Sequence, residues 1–200
     1  TTIPYGADRL QDLPEAPVRA LGLEPGRYLT LVARPEPENS VLEAVSAFSA
    51  RPRGQCLAVL GTYRDDHPYH RAVREAASPD VRFLGAIYDP TVVQSLRMHC
   101  TAYVHGHQVG GTNPSLVEAL GAGNAIVAHD NRFNRWVAGD AARYFTDAPS
   151  AAALFDLLLD DEASLRSMRA AASARHEAAF TWPAVLREYE ELLGDWLPRR

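Results

Sequence analysis

The 200-residue chain contains no lysine; all 20 of its basic residues are arginine, set against 25 acidic residues for a net charge of -5. A P-loop, which needs a lysine on the terminal phosphates, is therefore absent, and no nucleophile-elbow serine motif is present either. Nor is there a basic stripe to neutralise a polyphosphate backbone, which argues against a nucleic-acid partner. Cysteine is scarce: Cys56 and Cys100 both stand in apolar surroundings, the pattern of buried thiols in a reducing cytoplasm rather than of a disulfide framework. Long apolar runs are missing too, so no membrane span or signal core is read. A dinucleotide fingerprint also fails, because Gly121-Ala122-Gly123 follows a helical pattern and precedes a strand, the reverse of a pyrophosphate turn.

What is present is a core. With 46% hydrophobic residues the chain can fill one domain of ordinary size, over positions 1–200. Short apolar runs alternate with helical patterns, as in a parallel sheet covered on both faces. The runs predict strands at Tyr28–Ala33, Cys56–Leu60, Val81–Leu84, Ala102–Val104, Ala125–Ala128 and Ala142–Phe145. Helices are expected from Ser40 to Ala50, after Pro68, after the Asp89-Pro90 cap and after Asn113-Pro114, with Gly121 and Gly123 closing the last of these. Beyond Asp147 only helical spacing remains: Ala151–Leu159, Glu162–Ala178 and an amphipathic Trp182–Trp196 whose Val185, Leu186, Tyr189, Leu192 and Leu193 share one side. The fold class is thus α/β: a Rossmann-like parallel sheet of about six strands flanked by helices, with an all-helical C-terminal segment. The opening Thr1-Thr2-Ile3 lacks a methionine, and Tyr5-Gly6-Ala7-Asp8 reads as a turn, so the chain is expected to be a fragment.

In open α/β sheets ligands collect beyond the carboxyl ends of the strands. Arg34 follows the first strand, Gly61 and Thr62 the second, Ile87 and Tyr88 the third, and the segment from His105 onward the fourth. That segment carries most of the chemistry. Gly110 and Gly111 let backbone approach a ligand, Thr112 and Asn113 offer cap groups, Pro114 suits a first helical position, and Ser115 and Leu116 continue the first turn. Free amides at such a start attract phosphate. Glu118, one turn on, can accept hydrogen bonds from ribose hydroxyls, although a carboxylate there also complements the helix dipole. The planar fork of Arg34 suits a diphosphate. His105 and His107 share one face of an extended segment, but no acidic or cysteine partner accompanies them; they read as pocket-lining groups, with no metal expected.

Taken together, Ile3 to Asp8, Leu31-Val32-Ala33-Arg34 with Pro37-Glu38, Phe83-Leu84-Gly85, Pro114 to Gly123 and Phe180-Thr181-Trp182 make the chain resemble the C-terminal, donor-binding domain of GT-B glycosyltransferases of glycosyltransferase family 4. The run from His105 to Leu120 is most similar to the rhamnosyltransferase branch. The resemblance implies that Glu118 is the second glutamate of a Glu-x7-Glu motif and meets the donor ribose. It also implies that Gly111, Thr112, Asn113 and Ser115 surround the diphosphate and sugar, that Arg34 meets the diphosphate, and that backbone near Ile87 holds the base. Two positions depart from the pattern: Gly110 stands where the first glutamate is usual, and Asn39 where a diphosphate-binding lysine is usual. Amides at Thr112 and Asn113, or Arg34, are the candidates to replace that cation.

The implied function is transfer of a hexosyl or rhamnosyl group from a nucleoside diphosphate sugar to an acceptor hydroxyl, without cofactor, in bacterial polysaccharide or glycoconjugate synthesis. The acceptor would be held by a missing N-terminal domain, and the fragment alone would be inactive. A cytoplasmic location follows, with the inner membrane face open to the parent enzyme. Two other readings stay open: a sugar-nucleotide epimerase of similar architecture, and a non-catalytic nucleotide-binding module.

Overall fold

Strands that are apolar along their whole length persist only where helices cover both faces, and the central strands meet that condition. The computed structural model describes residues 2–194 and 196. Six strands form one parallel sheet: β1 (Tyr28–Val32), β2 (Cys56–Leu60), β3 (Val81–Gly85), β4 (Ala102–His105), β5 (Ile126–His129) and β6 (Ala142–Phe145). Their order in space is β3-β2-β1-β4-β5-β6, all pairs parallel. Every position of β4 is buried, and β1 and β2 each have one position only partly so, whereas the edge strand β3 exposes Arg82. The first strand ends one residue earlier than its sequence suggests; Ala33 still donates to the Leu60 carbonyl at 3.3 Å.

Nine helices are described: α1 (Ala16–Ala20), α2 (Val41–Ser49), α3 (Pro68–Glu75), α4 (Pro90–Met98), α5 (Pro114–Gly121), α6 (Arg132–Ala138), α7 (Ala148–Leu158), α8 (Glu162–Ala179) and α9 (Trp182–Gly194). On one face α2 and α7 pack over Leu29, Leu57, Val104 and Val127, with Phe48 and Phe155 in edge contact at 5.8 Å. Burying each such ring contributes roughly 2–3 kcal/mol. On the other face α4 brings Leu96 against Tyr28 and Ala58, and α5 brings Leu116, Val117 and Leu120 against Tyr103 and Ile126. Polar groups inside the central strand are satisfied: Tyr28 donates through its hydroxyl to the Leu96 carbonyl at 2.8 Å.

Helices α1 and α6 are not read from the sequence. Each is short, five and seven residues, too brief for periodicity to show. Asn131, whose Oδ1 accepts from the amides of Phe133 and Asn134, is the one local signal for α6. The two glycines assigned to the end of α5 divide their work. Gly123, at φ +66, makes the left-handed turn, with its amide on Leu120 and that of Asn124 on Ala119. Gly121 instead allows a close approach, since a Cβ there would lie 2.3 Å from the Asp8 carbonyl oxygen. Asp8 is near because residues 6–8 do not turn but extend along the α8–α9 junction: Ala7 bridges Thr181 and donates to the Phe180 carbonyl at 2.9 Å. On α9 only Val185 is buried; Leu186, Tyr189 and Leu193 are exposed. The expected last residues of that helix include Asp195, which lies outside the described residues. No described helix is long and apolar enough to cross a membrane.

The site is placed by topology. From β1 the chain winds outward through β2 to β3, then crosses back through α4 to β4 on the other side of β1. Connections therefore diverge between β1 and β4, and a crevice opens over their carboxyl ends.

Candidate functional site

The loops leaving β1 and β4 form the floor of that crevice and are tied together. Asn39 is 4% exposed and donates through Nδ2 to the Arg34 carbonyl at 2.9 Å, so it shapes the first loop. Gly106 lies flat against it, because a Cβ at that position would stand 2.1 Å from the Asn39 carbonyl oxygen. Gln108 completes the join: its amide donates to the Glu38 carbonyl at 2.8 Å and its Nε2 to Ser40 Oγ at 2.9 Å. The result leaves Arg34 exposed at the rim with no ion pair among the described residues.

Two adjoining hollows share Ile87, Tyr88 and Val93 as a common wall. One, about 250 Å³, runs over the ends of β1 and β2 past Arg34, Gly61 and Thr62. Gly61 permits this, since a Cβ there would meet the Ala33 carbonyl oxygen at 2.4 Å. The other, about 380 Å³, is bounded by Glu118, Arg97, Trp182 and the Ala7–Asp8 segment. Of the sequence candidates, Arg34, Gly61, Ile87 and Tyr88 thus line one hollow, and Ile87, Tyr88 and Glu118 line the next.

The glycine loop leads from β4 into α5 and is part of the lining of neither hollow. Gly110 has φ +117, a conformation that suits glycine, and a Cβ on Gly110 or Gly111 would meet nothing within 4 Å. Asn113 Oδ1 accepts from the Ser115 amide at 3.1 Å, and the Leu116 amide bonds the Asn113 carbonyl at 3.1 Å. Pro114 has no amide proton. The first turn of α5 therefore has its donors occupied, contrary to the picture of a helix offering its own free amides. The unpaired donors lie just before it: the amides of Gly111, Thr112 and Asn113 meet no acceptor among the described residues. Adjacent backbone amides left unpaired in this way are available to an anion. The Leu116 side chain is fully buried in the core and faces away from solvent, and Pro114 is exposed.

Behind the loop, the rings of Tyr103, His105 and His107 stack as a column, with centroids 6.3 and 4.5 Å apart. His105 is 1% exposed, and burial, with His107 nearby, pushes its imidazole well below the usual range. His107 is lowered too, first by burial and then by the Arg34 charge, against a smaller opposing effect of Glu38. The column is accordingly neutral near pH 7. Asn131 and Asn134 fix the His107 carbonyl at 3.0 and 2.8 Å. No three His, Cys, Asp or Glu side chains gather as a metal site among the described residues.

Arg97 belongs to the site and is not found by sequence reasoning. It projects from α4, its side chain 6% exposed, and its Nη2 reaches Glu118 Oε2 at 2.5 Å and Ser115 Oγ at 3.3 Å. Ser115 also bonds the Tyr103 hydroxyl, so its own hydroxyl is directed inward. The one sequence signal is a lone charge among Val93, Leu96 and Cys100 on the inner side of a helix.

No protein-family profile matches the chain. It is 31% identical over 208 residues to the phosphatidyl-myo-inositol mannosyltransferase of Mycolicibacterium smegmatis, covering 96% of this chain and 52% of that protein. The chain thus spans about half the length of the curated relative it matches. Among solved structures, sucrose-phosphate synthase from Thermosynechococcus elongatus superposes with a TM-score of 0.80 at 20% identity, over 97% of this chain and 52% of that one. A glycosyltransferase from Rickettsia africae gives 0.82 at 13% identity, over 99% and 57%. Anabaena HepE, solved in complex with UDP and glucose, gives 0.80 at 16% identity, over 94% and 55%. The chain therefore has a GT-B glycosyltransferase-like fold.

Proposed function

We propose that this chain is the donor-binding domain, the C-terminal half, of a two-domain, metal-independent glycosyltransferase. It transfers a hexosyl or rhamnosyl group from a nucleoside diphosphate sugar to an acceptor hydroxyl in bacterial polysaccharide or glycoconjugate synthesis. The observation that carries this reading is an exposed Arg34, unpaired loop amides at Gly111 to Asn113 and the Glu118 carboxylate on the carboxyl-end side of β1 and β4, where the strand order reverses, with Arg34 and Glu118 lining adjoining hollows. A mannosyltransferase relative and a structural neighbour holding UDP are in keeping with it.

In this reading the base lies against Ile87 and Tyr88, Glu118 accepts from the ribose hydroxyls, and the diphosphate lies over the 111–113 amides with Arg34 across from it. As an acceptor hydroxyl attacks the anomeric carbon, the bond to the diphosphate breaks, negative charge collects on the leaving oxygens, and one of these accepts the hydroxyl proton. Fixed amides and a guanidinium aimed at that charge lower the barrier without a protein nucleophile. Each hydrogen bond to charged phosphate contributes about 1.5–3 kcal/mol. The neutral His107 lines the sugar end without competing for the diphosphate. Gly110, where the related pattern has a carboxylate, leaves open space beside the sugar, which suits a donor other than the common hexoses.

Isothermal titration of the chain with UDP, dTDP and GDP tests the reading. Binding of at least one in the micromolar to millimolar range, weakened by Glu118→Ala, is expected; no binding of any at millimolar concentration overturns it.

A further inference from the structure

Glu118 is the half-exposed member of an unequal pair. Its side chain is 47% exposed while that of Arg97 is 6% exposed, and no donor other than Arg97 meets the carboxylate among the described residues. A surface glutamate ordinarily moves among several rotamers, and ordering it is an entropic cost borne at the moment of binding. A buried guanidinium is itself unfavourable unless its partners repay the lost hydration, and here Nε remains buried with no partner at all. Packing alone does not require the charge, since a methionine fills similar space beside Tyr103. The guanidinium carbon stands 5.9 Å from the Tyr103 ring centroid, and Tyr103 in turn holds Ser115, so three side chains fix where Arg97 points.

We propose that Arg97 is a positioning residue of the donor site, holding the Glu118 carboxylate by one oxygen so that the other is presented to the nucleotide ribose in the 380 Å³ hollow. The proposal rests on the donor-site reading above and deepens it: preference for the ribose hydroxyls is set from α4, by a residue that acts through Glu118. Because Glu118 is pre-oriented, the preference appears in affinity for nucleotide.

Titration calorimetry of the wild-type chain, Arg97→Met, Glu118→Gln and the double variant, each with UDP and with 2′,3′-dideoxy-UDP, tests it. The wild type is expected to favour UDP about tenfold, the equivalent of one charged hydrogen bond. Arg97→Met and Glu118→Gln should each reduce that preference to about twofold, and the double variant should reduce it no further, because both act through one carboxylate. If Arg97→Met keeps the tenfold preference, or weakens both nucleotides equally, the proposal is overturned while the donor-site reading stands. Should that variant not fold, Arg97→Lys decides: the lysine chain ends about one bond short of Nη2 and lacks the planar fork, so the preference should fall to about threefold, and an unchanged value overturns the proposal. If the wild type binds none of UDP, dTDP and GDP, the donor-site reading falls and the proposal with it.

Discussion

Helices α4 and α5 begin with the same grammar and flank the same crevice, yet only one start suits an anion. In each, an Asx residue precedes a proline at the first helical position and caps the next amide: Asp89 Oδ1 accepts from Thr91 at 2.9 Å, and Asn113 Oδ1 from Ser115 at 3.1 Å. The caps differ by one charge, and the loops before them differ in kind. Ahead of α4 stand Ile87 and Tyr88, an apolar wall; ahead of α5 stand Gly110, Gly111 and Thr112, whose neighbouring amides are unpaired. Capping thus sets where a helix starts, while the sign of the cap and the freedom of the preceding loop decide what that start can hold.

Asn113→Asp breaks the contrast most sharply. Aspartate caps as well as asparagine, so melting should be unchanged, but a carboxylate within a few ångströms of the diphosphate should weaken UDP affinity about tenfold or more by calorimetry. An affinity equal to wild type would move the anion away from the 111–113 loop.

A second test uses the histidines behind α5. The folded His105 and His107 both hold protons less tightly than the unfolded chain does, so acidification below about 6.5 binds more protons to the unfolded state and lowers stability. A fully buried group such as His105 contributes at most about 1.4 kcal/mol per pH unit. Chemical denaturation at pH 7 and pH 5 should show that loss, and His105→Leu should make the dependence shallower. The α4 start, by contrast, faces no such column. Asp89→Asn removes its charge but keeps its cap, so stability should stay within about 0.5 kcal/mol and UDP affinity should not fall. A loss of affinity there would join the two starts into one anion site.

Most of the architecture is legible in the residues because it is locally encoded. Apolar runs bounded by turn residues give the six strands, and Asp89-Pro90 and Asn113-Pro114 mark helix starts that the structure shows with their side-chain bonds formed. What is missed is short or distant. Helix α1 spans too few residues for a period, and Gly121 looks like a helix terminator until Asp8 is seen against it. At the site, the grouping of Arg34, Gly61, Ile87 and Tyr88 in one hollow follows from the rule that ligands gather at strand ends. The state of each amide does not, since it depends on where Asn113 and its carbonyl turn.

The amino-acid order alone fixed the alternation of strands and helices, their caps and the end of the sheet where a ligand can gather, because those follow from side-chain periodicity and bonds spanning a few residues. The partnership of Arg97 with Glu118, the seam between the 34–40 and 106–108 loops, and the transfer of the free amides from α5 to its preceding loop were decided in three dimensions. Each joins residues that are distant in the chain or competes for one donor, and only packing determines which partner arrives.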